Sequence, residues 1–185
     1  MKRLLILCVF LATPAWATPW SLTALMAALA NQRHGEARFE EKKFISVLDQ
    51  PVESSGELRF VAPDHLEKIT IKPRAESMVL DGDRLTLQRG SRKKVVSLSE
   101  YPEIAGMVES MRATLAGDRK ALERSYHLSF EGTAEAWSLI LIPTDVRIAK
   151  VVARIHMHGG GDQVREIEIL QTDGDRSLMT IRKAP

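Results

Sequence analysis

The sequence predicts an α+β domain: a long antiparallel sheet that curls, with a few short helices across its apolar face. Three observations carry this. Segments such as Gly56-Glu57-Leu58-Arg59-Phe60 and Glu166-Ile167-Glu168-Ile169 alternate charge and hydrocarbon with period two, so each buries one face only. Turn signals separate such segments at Asp49-Gln50-Pro51, Asp81-Gly82, Gly159-Gly160-Gly161 and Asp173-Gly174. Helical periodicity is confined to two short stretches, too little to cover a sheet of about ten strands.

Residues 1–17 read as a secretory address. Lys2 and Arg3 form a positive start, and Leu4 to Ala12 form an apolar run of nine. Pro14 breaks it ahead of Ala15-Trp16-Ala17, whose small residues stand where a signal peptidase reads. The run is far short of the ~20 residues of a spanning helix. Cleavage after Ala17 is expected, leaving one domain over residues 18–185 in an extracytoplasmic compartment. Cys8 lies inside the apolar run and is the only cysteine, so the mature chain forms no disulfide and no thiolate metal cluster. Losing Lys2 and Arg3 leaves 24 basic and 24 acidic side chains. That balance, with only 5% aromatic residues, argues against nucleic acid as a partner.

The elements follow in order. Ser21 or Thr23 caps a helix whose apolar set is Leu22, Leu25, Met26 and Leu29. Strands begin at Ala37-x-Phe39, run through Gly56–Phe60, and break at Ala62-Pro63-Asp64. Ile69-Thr70-Ile71 belongs to the next. Met78-Val79-Leu80 and Leu85-Thr86-Leu87 flank Asp81-Gly82, which predicts a hairpin about a type I′ turn. Val95 and Val96 complete this run of strands. Ile104, Met107, Val108, Met111 and Leu115 then form one helical stripe. Gly117 ends that helix, and Asp118 caps a shorter one through Leu122. Strands resume at Tyr126–Phe130, Ala136–Ile142, Val151–His158, Val164–Leu170 and Ser177–Ile181.

Helices this short would lie as a lid over a curled sheet and leave an apolar hollow incompletely filled. Met26, Met107 and Met111 lie on the helices that would face it, where flexible thioethers suit either ordinary core or an adaptable greasy lining. Chemistry is hard to place. The chain has no G-x-S-x-G elbow, H-E-x-x-H, P-loop or dinucleotide fingerprint. Gly159-Gly160-Gly161-Asp162 lies between strands, without the helix that a phosphate loop needs, and reads as a loose hairpin loop. His156-x-His158 places two imidazoles on one strand face without an evident third ligand, so no metal or cofactor is expected. Glu40-Glu41-Lys42-Lys43 and Arg92-Lys93-Lys94 read as solvated strand rims that discourage edge pairing.

The order of motifs is informative. A signal and a helix lead to Ala37-x-Phe39-x-Glu41, then Gly56-x-Leu58-x-Phe60-x-x-Pro63-x-x-Leu66, then Val79-Leu80-Asp81-Gly82-Asp83-Arg84-Leu85-Thr86-Leu87. In this the chain resembles the LolA family of periplasmic outer-membrane lipoprotein carriers, over essentially the whole mature length. The resemblance implies an unclosed, strongly curved antiparallel β-barrel with short helices as a lid over an apolar cavity that holds acyl chains. It implies a non-enzymatic monomer in the Gram-negative periplasm, with no cofactor. Its cargo would be an acylated lipoprotein or related lipid, taken from an inner-membrane release complex and given to an outer-membrane acceptor.

Phe39, Leu58, Phe60, Leu66, Leu85 and Leu87 match the family's apolar strand positions. With Leu25, Leu29, Ile104, Met107 and Met111 of the helices they form the expected cavity lining. One position departs. Family carriers place an arginine before the proline and use it to latch the lid to backbone carbonyls, whereas this chain has Ala62. The aromatic residues that usually follow are Leu66 and Lys68. A looser lid and a dedicated cargo are therefore expected. A lipid-responsive periplasmic sensor of the same fold is the alternative function, although its usual extra domain has no room here.

Overall fold

The computed structural model describes residues 20–184; the expected signal segment 1–17 lies outside the described residues. Helix α1 (Leu22–Ala30) begins at Ser21, whose hydroxyl accepts from the Ala24 N–H at 3.2 Å. Six strands follow: β1 (His34–Phe44), β2 (Val52–Val61), β3 (His65–Lys72), β4 (Glu76–Asp81), β5 (Arg84–Arg89) and β6 (Arg92–Ser97). A 3₁₀ turn at Leu98–Glu100 leads into α2 (Pro102–Leu115) and α3 (Arg119–Glu123). Five more strands complete the chain: β7 (Tyr126–Gly132), β8 (Trp137–Pro143), β9 (Val152–Gly160), β10 (Gln163–Gln171) and β11 (Arg176–Lys183).

All eleven strands form one antiparallel sheet in the order β6-β5-β4-β3-β2-β1-β11-β10-β9-β8-β7. Each half is a meander of neighbouring strands, and the halves join where β1 meets β11. Register carries hydrocarbon along the inner face. Leu85, Leu80, Leu66 and Phe60 are successive cross-strand partners from β5 to β2. Met179, Ile167, Met157, Leu139 and Phe130 do the same from β11 to β7. Most charges take the other face, as the period-two pattern requires; Glu41 of β1 and Lys68 of β3 are exceptions.

The sheet is open, since β6 and β7 do not pair, and it is strongly curved. Laid flat, β5 and β7 would stand nine strand positions apart, roughly 43 Å at ~4.8 Å each. Yet α2 is bonded to both regions. The Tyr126 hydroxyl of β7 donates to the Gly106 carbonyl at 3.0 Å, and Arg112 Nη1 donates to the Gly82 carbonyl in the β4–β5 turn at 2.9 Å. Those two helix positions lie only ~9 Å apart along its axis. A single helix reaches both regions because the sheet wraps around it.

Two turns differ from the sequence expectation. Asp81 pairs with Arg84, so the β4–β5 loop is Gly82-Asp83 rather than Asp81-Gly82. Gly82 has φ +56, but no described non-glycine residue has a positive φ, so the turn lacks the second positive φ of type I′. Asp83 is occupied instead by accepting from the Ser99 N–H at 3.0 Å. The Gly159–Gly161 segment is also not a loose loop. Gly159 and Gly160 belong to β9, because the Trp137 ring lies where a Gly159 side chain would be, 2.2 Å from an added Cβ. Only Gly161-Asp162 turns.

Candidate functional site

Helix α2 packs on its small face. Among its described side chains Ser110, Ala113 and Thr114 are the buried ones, at 1%, 3% and 1% exposure. Gly106 lies so close to Ile148 that an added Cβ would sit 2.2 Å from that side chain, and Gly117 is equally tight against the Met26 carbonyl and Ala30 of α1. The inward hydroxyls are satisfied within the helix, Ser110 donating to the Met107 carbonyl at 2.6 Å and Thr114 to the Ser110 carbonyl at 2.7 Å. Gly117, at φ +65, closes the helix with bonds from its own N–H and that of Asp118 to the Thr114 and Ala113 carbonyls.

The apolar stripe on α2 is therefore left only partly covered. Met107 and Met111 pack against the cluster built on β7–β9 and α1, whereas Ala105 and Val108 pack against a second, separate cluster of Leu80, Leu85 and Leu98. The helix bridges two apolar clusters, and the central strands lie between them.

The predicted lining residues divide accordingly. Leu25 and Leu29 are fully buried core residues on the inward side of α1. Phe39, Phe60 and Leu85 are buried on the inner face, and Leu58, Leu66, Leu87, Met107 and Met111 are half-buried. Ile104 departs from the expectation: it is 40% exposed, because α2 is rotated to clamp through its small residues. Among the described residues one pocket of about 450 Å³ lies beside α2 near Arg112, Tyr126 and Asp145, and another of about 540 Å³ lies over β1–β3 and β11 near Arg38, Ile71 and Arg182. Of the predicted lining only Phe39 borders either.

Ala62 is half-buried and presents no donor beyond its backbone N–H, which donates to the Arg33 carbonyl at 2.8 Å. Absence of an arginine here does not leave the lid untied, however. The tie runs the other way, from Arg112 of α2 to Gly82 of the sheet, with the Glu109 carboxylate bonded to the same guanidinium. Burial pushes the Tyr126 phenol up to about 12, so it stays a donor to the lid across the physiological range.

The charge run Glu40–Lys43 is not wholly solvated. Glu41 stands two residues after Phe39 on the inner face of β1 and is 5% exposed. Ser177 donates to its Oε1 at 2.7 Å, Ser54 donates to its Oε2 at 3.2 Å, and Lys68 bonds that same oxygen. Lys43 lies 3.8 Å from Oε1. Burial pushes the Glu41 carboxyl up, but the charge and bond of Lys68, the Ser177 bond and the Lys43 charge together hold it below the usual carboxylate range. Lys68, the Cα partner of Leu58 and Met78, also stands 4.8 Å above the Phe39 ring. Period two was the signal that would have found this group, because Phe39 and Glu41 share parity.

His156 and His158 lie on the opposite face, with ring centroids 3.9 Å apart, and Ser138 Oγ stands 2.7 Å from His156 Nε2. Burial, with the neighbouring charges of His158 and Arg154, pushes His156 down. Among the described residues no group of three or more histidine, cysteine, aspartate or glutamate side chains is placed to hold a metal ion.

An open, strongly curved antiparallel sheet with a helix strapped across its inner face defines the class: an unclosed half-barrel. A family model for outer membrane lipoprotein carrier protein LolA-like proteins matches residues 16–183, and the chain belongs to that family. No curated protein matches the sequence. Among solved structures it is similar to a LolA superfamily protein from Nitrosomonas europaea, at 12% identity over 91% of this chain and 96% of that one, TM-score 0.48. It is similar to MucB in the MucA/MucB complex of Pseudomonas aeruginosa, at 14% identity over 89% of this chain and 58% of that one, TM-score 0.46. The Mycobacterium tuberculosis lipoprotein LppX shares 9% identity over 89% of this chain and 96% of that one, TM-score 0.47. No helix among the described residues is long and apolar enough to cross a membrane.

Proposed function

We propose that this protein is a non-enzymatic periplasmic carrier that shields the acyl chains of a lipoprotein or related lipid while they cross water. One observation carries the reading: α2 is clamped by small residues and presents a half-covered stripe of Met107, Val108 and Met111 to two separate apolar clusters. Ordinary core packing would bury that stripe and expose the serine and threonine instead. A surface of flexible thioethers that does not close on itself accommodates chains of variable shape. Each methylene removed from water contributes about 0.8 kcal/mol, so a partly filled apolar hollow is sufficient to bind without specific polar chemistry.

The test is the lipid content of the protein purified from periplasm without detergent. Mass spectrometry should find an intact acylated molecule in near-stoichiometric amount. Protein that is lipid-free and also fails to take up the neutral dye N-phenyl-1-naphthylamine would overturn the carrier reading. Recovery of cleaved acyl products alone would point to a hydrolase.

A further inference from the structure

A charged group sits on the inner face of the sheet, where a purely greasy container needs none. Glu41 is on β1, the sixth of eleven strands counted from either edge, and Lys68 reaches it from β3, across β2. Both belong to the face that carries Phe39 and Phe60. A buried ion pair is at best weakly stabilising, since desolvation offsets most of its attraction. Its presence here calls for a different reason.

The hydrogen-bond inventory supplies one. Both oxygens of Glu41 are engaged: Oε1 accepts from Ser177 with Lys43 nearby, and Oε2 accepts from Ser54 and Lys68. The carboxylate therefore has little left to offer a ligand. An ammonium has three donors, and Lys68 commits one to Glu41 while a side of its charge faces the Phe39 ring. Lys43 is half-exposed and only loosely engaged at 3.8 Å. Two ammoniums against one saturated carboxylate leave a net positive, donor-only patch beside apolar surface. Its complement is an acceptor that carries negative charge, at the end of a hydrocarbon chain.

We infer that Lys68, held in place by Glu41, which Ser54 and Ser177 fix in turn, is a headgroup-recognition residue that selects cargo with an anionic head, carboxylate or phosphate, on its acyl chain. This rests on the carrier reading and deepens it by naming the class of lipid. Glu41 is a positioning residue: it keeps the long lysine side chain from snorkelling out to solvent and lowers the cost of holding its charge there.

The experiment displaces N-phenyl-1-naphthylamine from the purified full chain with three ligands of equal chain length: palmitate, hexadecyl phosphate and hexadecanol. Palmitate or hexadecyl phosphate, or both, should compete about tenfold better than hexadecanol, a difference of about 1.4 kcal/mol. The stronger of the two anions identifies carboxylate or phosphate as the head. In Lys68→Met the anion-to-alcohol ratio should fall to near one. Because that change leaves Glu41 without its main counter-charge, the double variant Glu41→Gln with Lys68→Met, whose amide oxygen accepts from one serine hydroxyl while its amide nitrogen donates to the other, is measured beside it and should give the same ratio. Equal competition by all three ligands in the native protein overturns headgroup selection and leaves the carrier reading standing. A preference for the anions that survives in both variants overturns the assignment to Lys68. Failure of every ligand to compete overturns both readings.

Discussion

Arg112 and Glu41 are the side chains whose removal should be felt most. Arg112 makes a charge-assisted bond to the Gly82 carbonyl, and such bonds contribute about 1.5–3 kcal/mol. That bond spans lid and sheet, so its loss acts on the closed state and not on an open one. In Arg112→Ala, amide hydrogen exchange across residues 102–115 should accelerate; unchanged protection would show that the Tyr126 bond and the small-residue clamp suffice. In contrast Ala62→Arg should slow exchange little, since the lid already has a tie. Glu41 gives a pH dependence of definite sign. Its folded carboxyl lies below the ordinary 4.5, so the stability it contributes is complete above that value and is lost as pH falls through the folded value. His65 has the opposite sign. The Asp81 bond raises it above the ordinary 6.5, with help from Glu67, so its contribution is complete below 6.5 and fades as pH rises through the folded value. The difference in melting temperature between the native protein and His65→Gln should shrink as pH rises above 6.5.

At the level of elements, the clamp and the stripe of α2 make separable predictions. Glycine-to-alanine substitutions inside helices usually stabilise, by up to about 1 kcal/mol. Gly117→Ala should do the reverse, by at least about 1–3 kcal/mol, because its φ is +65 and the new Cβ would lie 2.1 Å from the Met26 carbonyl. Thermal melting reads this directly. Met107→Glu with Met111→Glu attacks the other face, and since both positions are only half-buried, folding should be retained. Dye and lipid uptake should be lost, because two carboxylates would be desolvated by any acyl chain that entered. Uptake at the native level would remove α2 from the site.

For the whole molecule, the strands were legible because hydrocarbon alternates with charge along them, and the helix ends because Ser21, Gly117 and Asp118 are strong local signals. The orientation of α2 was not. Its longest apolar stripe, with Ile104 at one end, reads as the buried face, yet backbone proximity at Gly106 and Gly117 outweighs hydrophobicity when neighbouring elements press that closely. The buried Glu41 was hidden by its neighbours Glu40, Lys42 and Lys43, which make four charges look like one solvated run although Glu41 among them is buried. Arg112 could not be found from sequence at all, because its acceptor is a backbone carbonyl thirty residues away.

The position of α2 in the chain has a mechanical consequence. It follows β6 and, through α3, precedes β7, and these are the two edge strands of the sheet. A flap hinged at one end swings clear without disturbing what it covers. This helix is anchored at both ends to opposite rims, so lifting it must spread them or slacken the short connections on either side. On the carrier reading, capacity and opening are then one degree of freedom: a bulkier cargo would prise the rims apart, and its departure would let them spring back. Spin labels at Val95 on β6 and His127 on β7, both exposed, should report a longer separation in the loaded protein than in the empty one. An unchanged distance would place the opening elsewhere in the wall.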